Sequence, residues 1–358
     1  MKIKSNLTQS SFYKGKEALK QLDNFIKSNY KTAQKIVITD ENTLKLCLPV
    51  LQRKCRSLKK VFIITIPVGE QHKNENTAHQ IWQQLAENLI DRNALVINLG
   101  GGVVTDIGGF CAATYKRGID FINVPTTLMA MADAANGGKT GINLNGLKNV
   151  IGTFSLPNAV ALDSQFLKTL DDRNILSGYA EMVKHSLVAD ATLFKKLVRN
   201  PIEKNITGDS IYASLKIKMA IVKKDPDEKN LRKLLNFGHT VGHAVESYSL
   251  LNDKNPLLHG ECVAIGMMIE SFLSYRVCKL KKEEMKLIAE YIDNVYVLPK
   301  FSAAAKNTII ELMQNDKKNQ NGKLNFTLLK KIGQGVINQL VMQDAIENAF
   351  LFYNEMAD

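Results

Sequence analysis

The chain has 358 residues, enough for two domains that each bury a core of their own. With 45% hydrophobic and 23% charged residues it has an ordinary globular make-up, and no apolar run reaches membrane-spanning length. The net charge of +12 comes from lysines scattered along the chain, with no basic block interleaved with aromatics; this sets nucleic acid aside and reads first as a solvated surface, with an anionic small-molecule substrate as the functional reading. The opening residues MKIKSNLTQSSFYKGK carry no apolar core of a secretion signal. Five cysteines, an odd number without a CxxC pair, read as reduced thiols and point to the cytoplasm. Cys111 and Cys262 lie in apolar helical contexts and read as core filler.

In chain order, the first half alternates strand and helix patterns. Lys35-Thr39 is predicted as a strand and Thr43-Cys55 as a helix containing Pro49. Val61-Ile66 is a second strand, followed by a helix over Asn74-Ile90 with the single tryptophan, Trp82. Ala94-Leu99 runs into three glycines and a helix over Val103-Tyr115; Phe121-Val124 is the next strand, and Pro125 is expected at the first position of another helix. This rhythm predicts a Rossmann-like parallel sheet flanked by helices, closed by a last strand over Ala159-Asp163. Beyond about Leu170 the spacing turns helical, over Asn174-Arg199, Ser210-Lys224, Leu231-Ser249, His259-Cys278, Lys282-Val295, Ala303-Gln314 and Met342-Tyr353. An α/β domain over residues 1–163 and an all-α domain over 164–358 are therefore expected, with the active site in the cleft between them.

Gly100, Gly101 and Gly102 sit between a strand and a helix, where backbone N–H groups approach a pyrophosphate and the helix dipole favours an anion. The spacing is not GxGxxG, and a plain tight turn accounts for it equally well. Thr126 and Thr127 are candidate donors at a helix start. Gly137-Gly138-Lys139-Thr140-Gly141 lacks Walker spacing and follows a helix-like segment, so a Walker-type NTPase is rejected. It reads as a glycine-rich loop whose Lys139, with Lys148 and Asn149, fits a phosphate-type anion.

Three of the six histidines lie between Gly238 and Gly260. Read as one helix, Leu231-Glu246 places Arg232, Asn236, His239 and His243 within roughly 60° of one another. His239 and His243 at i, i+4 are spaced to share a metal, and His259 at the start of the next helix is a further candidate. Satisfied core histidines are the alternative. Glu181 and Lys184 share a helix face and read as a surface ion pair; Lys218 lies in a stretch whose apolar spacing leaves lysines exposed.

Taken together, the segments GGGVVTDIGGFCAATYKRG, VPTTLMAMADAANGGKTGIN, LKNVIG, SGYAEMVKH, LLNFGHTVGHAVE and LHGECVAIGM resemble the 3-dehydroquinate synthase family of sugar phosphate cyclases, nearly continuously from Leu99 to Met267. ITDENT, PVGEQHK and MQNDKKNQNGKL match further family positions. The resemblance implies NAD, a divalent metal (Zn2+ or Co2+) and conversion of 3-deoxy-arabino-heptulosonate 7-phosphate to 3-dehydroquinate and phosphate. By position it implies Glu181, His239 and His259 as metal ligands, leaving His243 as an active-site imidazole outside the metal shell. It implies Asp40, Asn42, Glu70, Lys73, Gly100, Gly101, Gly102, Val103, Asp106, Thr126, Thr127, Lys139, Lys148 and Thr169 as NAD contacts. Lys139, Lys148 and Asn149 match the substrate-phosphate pocket, to which Lys317 or Lys318 is added. Arg117 matches an arginine reaching the neighbouring subunit's site, which implies a homodimer. Lys218 and Arg232 match the carboxylate end, and Asp133, Lys184 and Asn236 the polar lining. Two features depart from the family: the linker between His243 and His259 is a few residues longer than is common, and Leu147 stands where many relatives have glycine. The competing readings are another sugar phosphate cyclase and a metal- and NAD-dependent polyol dehydrogenase.

Overall fold

The computed structural model describes residues 10–145, 147–315 and 324–357. The chain forms two compact units, Met1–Asp171 and Asp172–Asp358. No helix among the described residues is long and apolar enough to cross a membrane.

The first unit is built on a six-stranded sheet of β1 (Ser11–Lys14), β2 (Lys35–Asp40), β3 (Phe62–Ile66), β4 (Leu95–Gly100), β5 (Asp120–Pro125) and β8 (Ala159–Leu162), in the order β1-β8-β5-β4-β2-β3. Every pairing in it is parallel. The central strands are continuous apolar runs because both faces are covered: β4 is buried along its whole length. Helices α1 (Ala18–Asn29), α2 (Glu41–Leu46), α3 (Leu48–Lys54), α4 (Glu75–Glu87) and α5 (Gly102–Thr114) supply the cover. Ile36, Ile38, Val96, Ile107 and Phe121 share one core cluster, each burial contributing about 1.5–3 kcal/mol. Trp82 packs on Phe110 and donates its indole N–H to the carbonyl of Cys111 at 3.3 Å.

Three expectations in this unit are corrected. The helix expected over Thr43-Cys55 is two helices, interrupted at Cys47, with Pro49 in the first turn of α3 where it costs no hydrogen bond. Pro125 is the last residue of β5 and not a helix start; helical residues begin at 128 and include a π-turn over Ala130–Ala134. The glycine-rich segment is not a loop throughout, since β6 (Lys139–Leu144) and β7 (Leu147–Phe154) form an antiparallel hairpin. The dipeptide Asn145-Gly146 between them is the sequence signal for such a turn.

The second unit is helical: α6 (Asp172–Ala189), α7 (Ala191–Arg199), α8 (Ile202–Asn205), α9 (Gly208–Lys224), α10 (His239–Asn252), α11 (His259–Cys278), α12 (Lys282–Val295), α13 (Ala303–Asn315) and α14 (Gln343–Met356). It also carries an antiparallel hairpin, β9 (Leu324–Lys331) and β10 (Gln334–Val341), so an all-α description is corrected. Its turn contains Gly333 at φ 82°, and the alternation of NFTLLK with GVINQLV marks it in the sequence. The long helix expected over Asn174-Arg199 breaks at Asp190, whose carboxylate accepts the N–H groups of Thr192 and Leu193, both at 2.9 Å, and so starts α7.

The helix expected over Leu231-Ser249 breaks as well. Leu231–Asn236 is a 3-10 turn, Gly238 has φ 79°, and α10 begins at His239. Packing accounts for the break. A Cβ on Gly266 of α11 would lie 1.9 Å from the Gly238 carbonyl oxygen, and one on Gly242 would lie 3.0 Å from the Cys262 carbonyl oxygen. The two helices therefore meet backbone to backbone. Gly266→Ala is predicted to destabilise the protein by about 2–3 kcal/mol, whereas Gly208→Ala, with nothing within 4 Å of the added methyl, stays within about 0.5 kcal/mol of the parent in urea denaturation.

Candidate active site

In the first unit the strand order reverses between β2 and β4, and their carboxyl ends lie side by side, with Thr39 opposite Leu99; Gly100 of β4 lies opposite Pro125 of β5. Open parallel sheets bind ligands at such a reversal. Asp40 and the three glycines stand there. The Asp40 carboxylate accepts the Thr43 N–H at 2.8 Å, and the Thr43 hydroxyl donates to the Leu99 carbonyl at 3.2 Å, tying the two strand ends together. Gly100 cannot carry a side chain, because its Cβ would meet Val104 Cγ2 at 2.5 Å; a Cβ on Gly101 would come within 3.0 Å of Thr127. The thirteen-residue α5 starts at this turn with Gly102 and Val103 in its first positions. The Thr126 hydroxyl is buried without a hydrogen-bond partner among the described residues, and Thr127 Oγ1 accepts the Ala130 N–H at 3.2 Å.

A second cluster follows β3. Lys73 is only 4% exposed, and its Nζ lies 2.9 Å from Glu70 Oε1 and 3.1 Å from Asp106 Oδ2. Burial alone would lower its pKa; the carboxylates of Asp106 and Glu70 outweigh that and raise it. Asn143 of β6 donates to Glu70 Oε1 at 3.0 Å and accepts the Asn149 N–H at 2.9 Å, which links the hairpin to this cluster. Lys139, Lys148, Asn149, Asn42, Thr169 and Arg117 are exposed, and Asp133 lies half-buried in the π-turn.

In the second unit Glu181 on α6 is 1% exposed. Both its carboxylate oxygens are shielded from water and accept no well-formed hydrogen bond among the described residues, although Lys184 is ion-paired with Oε2. The pair is buried, with Lys184 2% exposed, which corrects the surface reading. His239 at the start of α10 and His259 at the start of α11 turn Nε2 towards Glu181 Oε1, at 3.6 and 3.9 Å. Each has its other nitrogen on an acceptor. His239 Nδ1 lies 3.2 Å from the Phe237 carbonyl, and His259 Nδ1 lies 3.2 Å from Glu246 Oε2. Two imidazole nitrogens and a dehydrated carboxylate oxygen facing one point, with the far nitrogens anchored, fit a tetrahedral metal with an open position. His243 is close, with ring centroids 5.1 Å from His239 and 5.8 Å from His259, and the three histidines have ligand atoms within 4.8 Å of one another. It is exposed, at the rim of the cluster. Burial first, then the nearby cation of Lys184, holds His239 well below the usual imidazole range, so it is neutral and able to ligate at pH 7.

The polar stripe expected on one helix is thus split over two elements. Arg232 and Asn236 belong to the 3-10 turn, where Arg232 Nη1 donates to the Pro226 carbonyl at 2.7 Å and Asn236 Nδ2 to Glu228 Oε1 at 3.2 Å. Asp225 accepts the N–H of Lys229, Asn230 and Arg232, which fixes this segment. The β9 residue Thr327 supports it from behind, donating to the Lys233 carbonyl at 2.7 Å. Arg232 is 4% and Lys218 6% exposed; the expectation of an exposed Lys218 is corrected, because α9 turns that face inward. Lysines and arginines are seldom buried without a partner or a ligand to serve.

Models of the 3-dehydroquinate synthase N-terminal and C-terminal parts match residues 63–177 and 178–319. A 3-dehydroquinate synthase of Parabacteroides distasonis is 42% identical over 95% of this chain and 96% of its own length. The chain belongs to the 3-dehydroquinate synthase family. Among solved structures, 2-epi-5-epi-valiolone synthase from Streptomyces hygroscopicus subsp. jinggangensis 5008, with NAD+ and Zn2+ bound, superposes with a TM-score of 0.84 at 26% identity, covering 99% of both chains. 2-Deoxy-scyllo-inosose synthase, complexed with carbaglucose-6-phosphate, NAD+ and Co2+, shares the fold with a TM-score of 0.83 at 22% identity over 95% of each chain.

Of the residues that the family resemblance singles out, the second unit brings Glu181, Lys184, His239, His243 and His259 together. The first unit brings together Glu70, Lys73 and Asp106, and sets Asp40 beside Gly100. Lys317 and Lys318 lie outside the described residues. Between His243 and His259, α10 runs to Asn252, Leu257 N–H donates to Ser249 Oγ at 2.8 Å and Arg173 Nη2 donates to the Pro256 carbonyl at 2.8 Å.

Sequence reading missed the acidic groups that hold the imidazoles in place. Glu261 receives Arg173 through two hydrogen bonds of 2.7 Å and the Leu258 N–H at 2.6 Å, anchoring the start of α11. Glu270, fully buried, accepts the N–H groups of Gly238 at 2.5 Å and Val241 at 3.2 Å, anchoring the start of α10. Glu246 was legible, since it falls on the same helical stripe as His239 and His243; nothing in the sequence marked Glu270.

Burial drives the Glu270 carboxyl up to about 8 against the pull of those N–H donors. A carboxyl raised in the folded state contributes stability that is complete below the unfolded value and is lost as pH rises through the folded one. In metal-free protein, stability is therefore predicted to fall by up to about 1.4 kcal/mol per pH unit between about pH 5 and 8. Glu270→Gln removes that slope in urea denaturation at stepped pH.

Proposed function

We propose that this chain converts 3-deoxy-arabino-heptulosonate 7-phosphate to 3-dehydroquinate and phosphate as an NAD-dependent, phosphate-eliminating lyase. The observation that carries the reading is the pair of anchored imidazoles, His239 and His259, facing the dehydrated carboxylate of Glu181 in a unit that also buries Lys184, Lys218 and Arg232. In this reading the first unit, taken as residues 1–163, is the NAD-binding domain, and residues 164–358 form the metal- and substrate-binding domain. NAD bound at the glycine turn supplies reversible hydride acceptance at a ring hydroxyl, and Zn2+ or Co2+ held by Glu181, His239 and His259 supplies Lewis acidity there.

The remaining work belongs to the chain itself. Asp40, Asn42, Thr126, Thr127, Thr169 and the N–H groups of Gly101, Gly102 and Val103 hold the dinucleotide, and the Glu70–Lys73–Asp106 cluster flanks it. Lys218 and Arg232 bind the substrate carboxylate; their burial makes each charge contact stronger than it would be in water. Lys139, Lys148, Asn149 and a lysine of the Lys317-Lys318 pair hold the phosphate, stabilising it as it leaves. Asp133, Lys184 and Asn236 complete the polar lining. His243, exposed at the rim, exchanges protons during ring closure. Overall the conversion produces no net redox change.

The match to 3-dehydroquinate synthase at 42% identity, against 26% to 2-epi-5-epi-valiolone synthase, favours a substrate with a carboxylate over other cyclase substrates. A polyol dehydrogenase has no use for the cations set out above. Arg117 is exposed, and in this reading, which rests on the family resemblance, it reaches a second subunit in a homodimer. All five cysteines are free thiols, which supports a cytoplasmic location.

Incubated with the heptulosonate phosphate, catalytic NAD and zinc, the protein is predicted to release phosphate and dehydroquinate in equal amounts with no accumulating NADH. Net NADH from a simple polyol, or no phosphate, contradicts the proposal. His239→Ala is predicted to reduce both bound zinc and turnover at least about tenfold; unchanged values remove His239 from the ligand set.

A further inference from the structure

We infer that Glu246 is a positioning residue that sets the tautomer and donor strength of His259 for the metal; this rests on the metal site proposed above. Glu246 lies on α10, 6% exposed, with Oε2 3.2 Å from His259 Nδ1. An ionised carboxylate can only accept, so the geometry assigns the proton in this contact to Nδ1, with the imidazole donating. Nε2 is then left with its lone pair, and Nε2 is the atom turned towards Glu181 Oε1. The charge of Glu246 also pushes electron density into the ring and raises the basicity of that lone pair.

The two imidazoles facing Glu181 are not equivalent in this respect. His239 Nδ1 meets a neutral carbonyl, that of Phe237, two residues away in its own chain segment. His259 is held instead by a charged group from a different helix. Its own helix start is fixed independently, by Glu261 and by the close seating of Gly260, whose Cβ would lie 1.9 Å from the Ser177 carbonyl oxygen. Since Glu261 and Gly260 already secure the backbone of His259, what remains for Glu246 to determine is the ring's proton and its orientation.

The test compares Glu246→Ala and Glu246→Gln with the parent, with zinc affinity measured by chelator competition on metal-free protein. The imidazole tautomers are read from 15N-labelled histidine by NMR. Alanine is predicted to weaken zinc binding about 10–100-fold and to let the Nε2–H tautomer of His259 appear. Glutamine keeps an acceptor for Nδ1–H without the charge, so the tautomer is retained and the affinity loss is smaller than for alanine. If alanine leaves zinc affinity and tautomer unchanged, whether or not its melting temperature falls, Glu246 is only structural and the inference is overturned. A failure of the metal assignment itself shows differently: His259→Ala would then bind zinc as tightly as the parent. In that case an unchanged tautomer in Glu246→Ala still overturns the positioning role.

Discussion

A carboxylate withdrawn from water must be repaid by charge or by hydrogen bonds, and Glu181 is the place where this constraint governs the second unit. Its side chain projects from the middle of α6 into the interior, beside the ammonium group of Lys184 and opposite the Nε2 atoms of His239 and His259. Two carboxylate oxygens shielded from water, with no well-formed hydrogen bond among the described residues, call for positive charge beside them. In the reading proposed above, a divalent metal shared by Glu181, His239 and His259 would supply that charge.

The constraint reaches back into the packing. For His239 and His259 to face Glu181, α10 and α11 must start close to α6 and to each other. Glycines allow this: a Cβ on Gly260 or Gly266 would lie 1.9 Å from a backbone carbonyl oxygen, and at Gly238 and Gly242 the facing backbone of α11 is 3.0 Å away. Three further acidic side chains finish the arrangement: Glu270 holds the first N–H groups of α10, Glu261 those of α11, and Glu246 the ring of His259. In the first unit the same economy of small residues recurs at the sheet reversal, where Gly100 and Gly101 lie against Val104 and Thr127 at the start of α5.

How much of this was legible varied with the kind of signal. The parallel sheet was readable because runs such as KIVIT and ALVINL are apolar on both faces, and β2 and β4 begin within one residue of where those runs do. The helices His259–Cys278 and Lys282–Val295 have the predicted bounds because glycine, lysine and proline punctuation surrounds them. Periodicity failed where tertiary packing overrides local propensity: at Gly238, whose left-handed backbone is imposed by α11, and at Asp190, whose side chain restarts a helix that the pattern carried through. Burial was illegible for Lys184 and Lys218, since a lysine at helical spacing looks solvated until the facing helix is known. The proposed ligand set came from motif resemblance. Spacing alone pairs His239 with His243, and only the three-dimensional arrangement shows that His259 also turns Nε2 towards Glu181.

The most direct measurement of the central claim is zinc-edge anomalous diffraction from crystals soaked in zinc. One strong peak is expected in the second unit, within bonding distance of a Glu181 oxygen and of Nε2 on both His239 and His259, with His243 outside the shell. A peak bound by His239, His243 and His259 without Glu181, or none at this position, would contradict it.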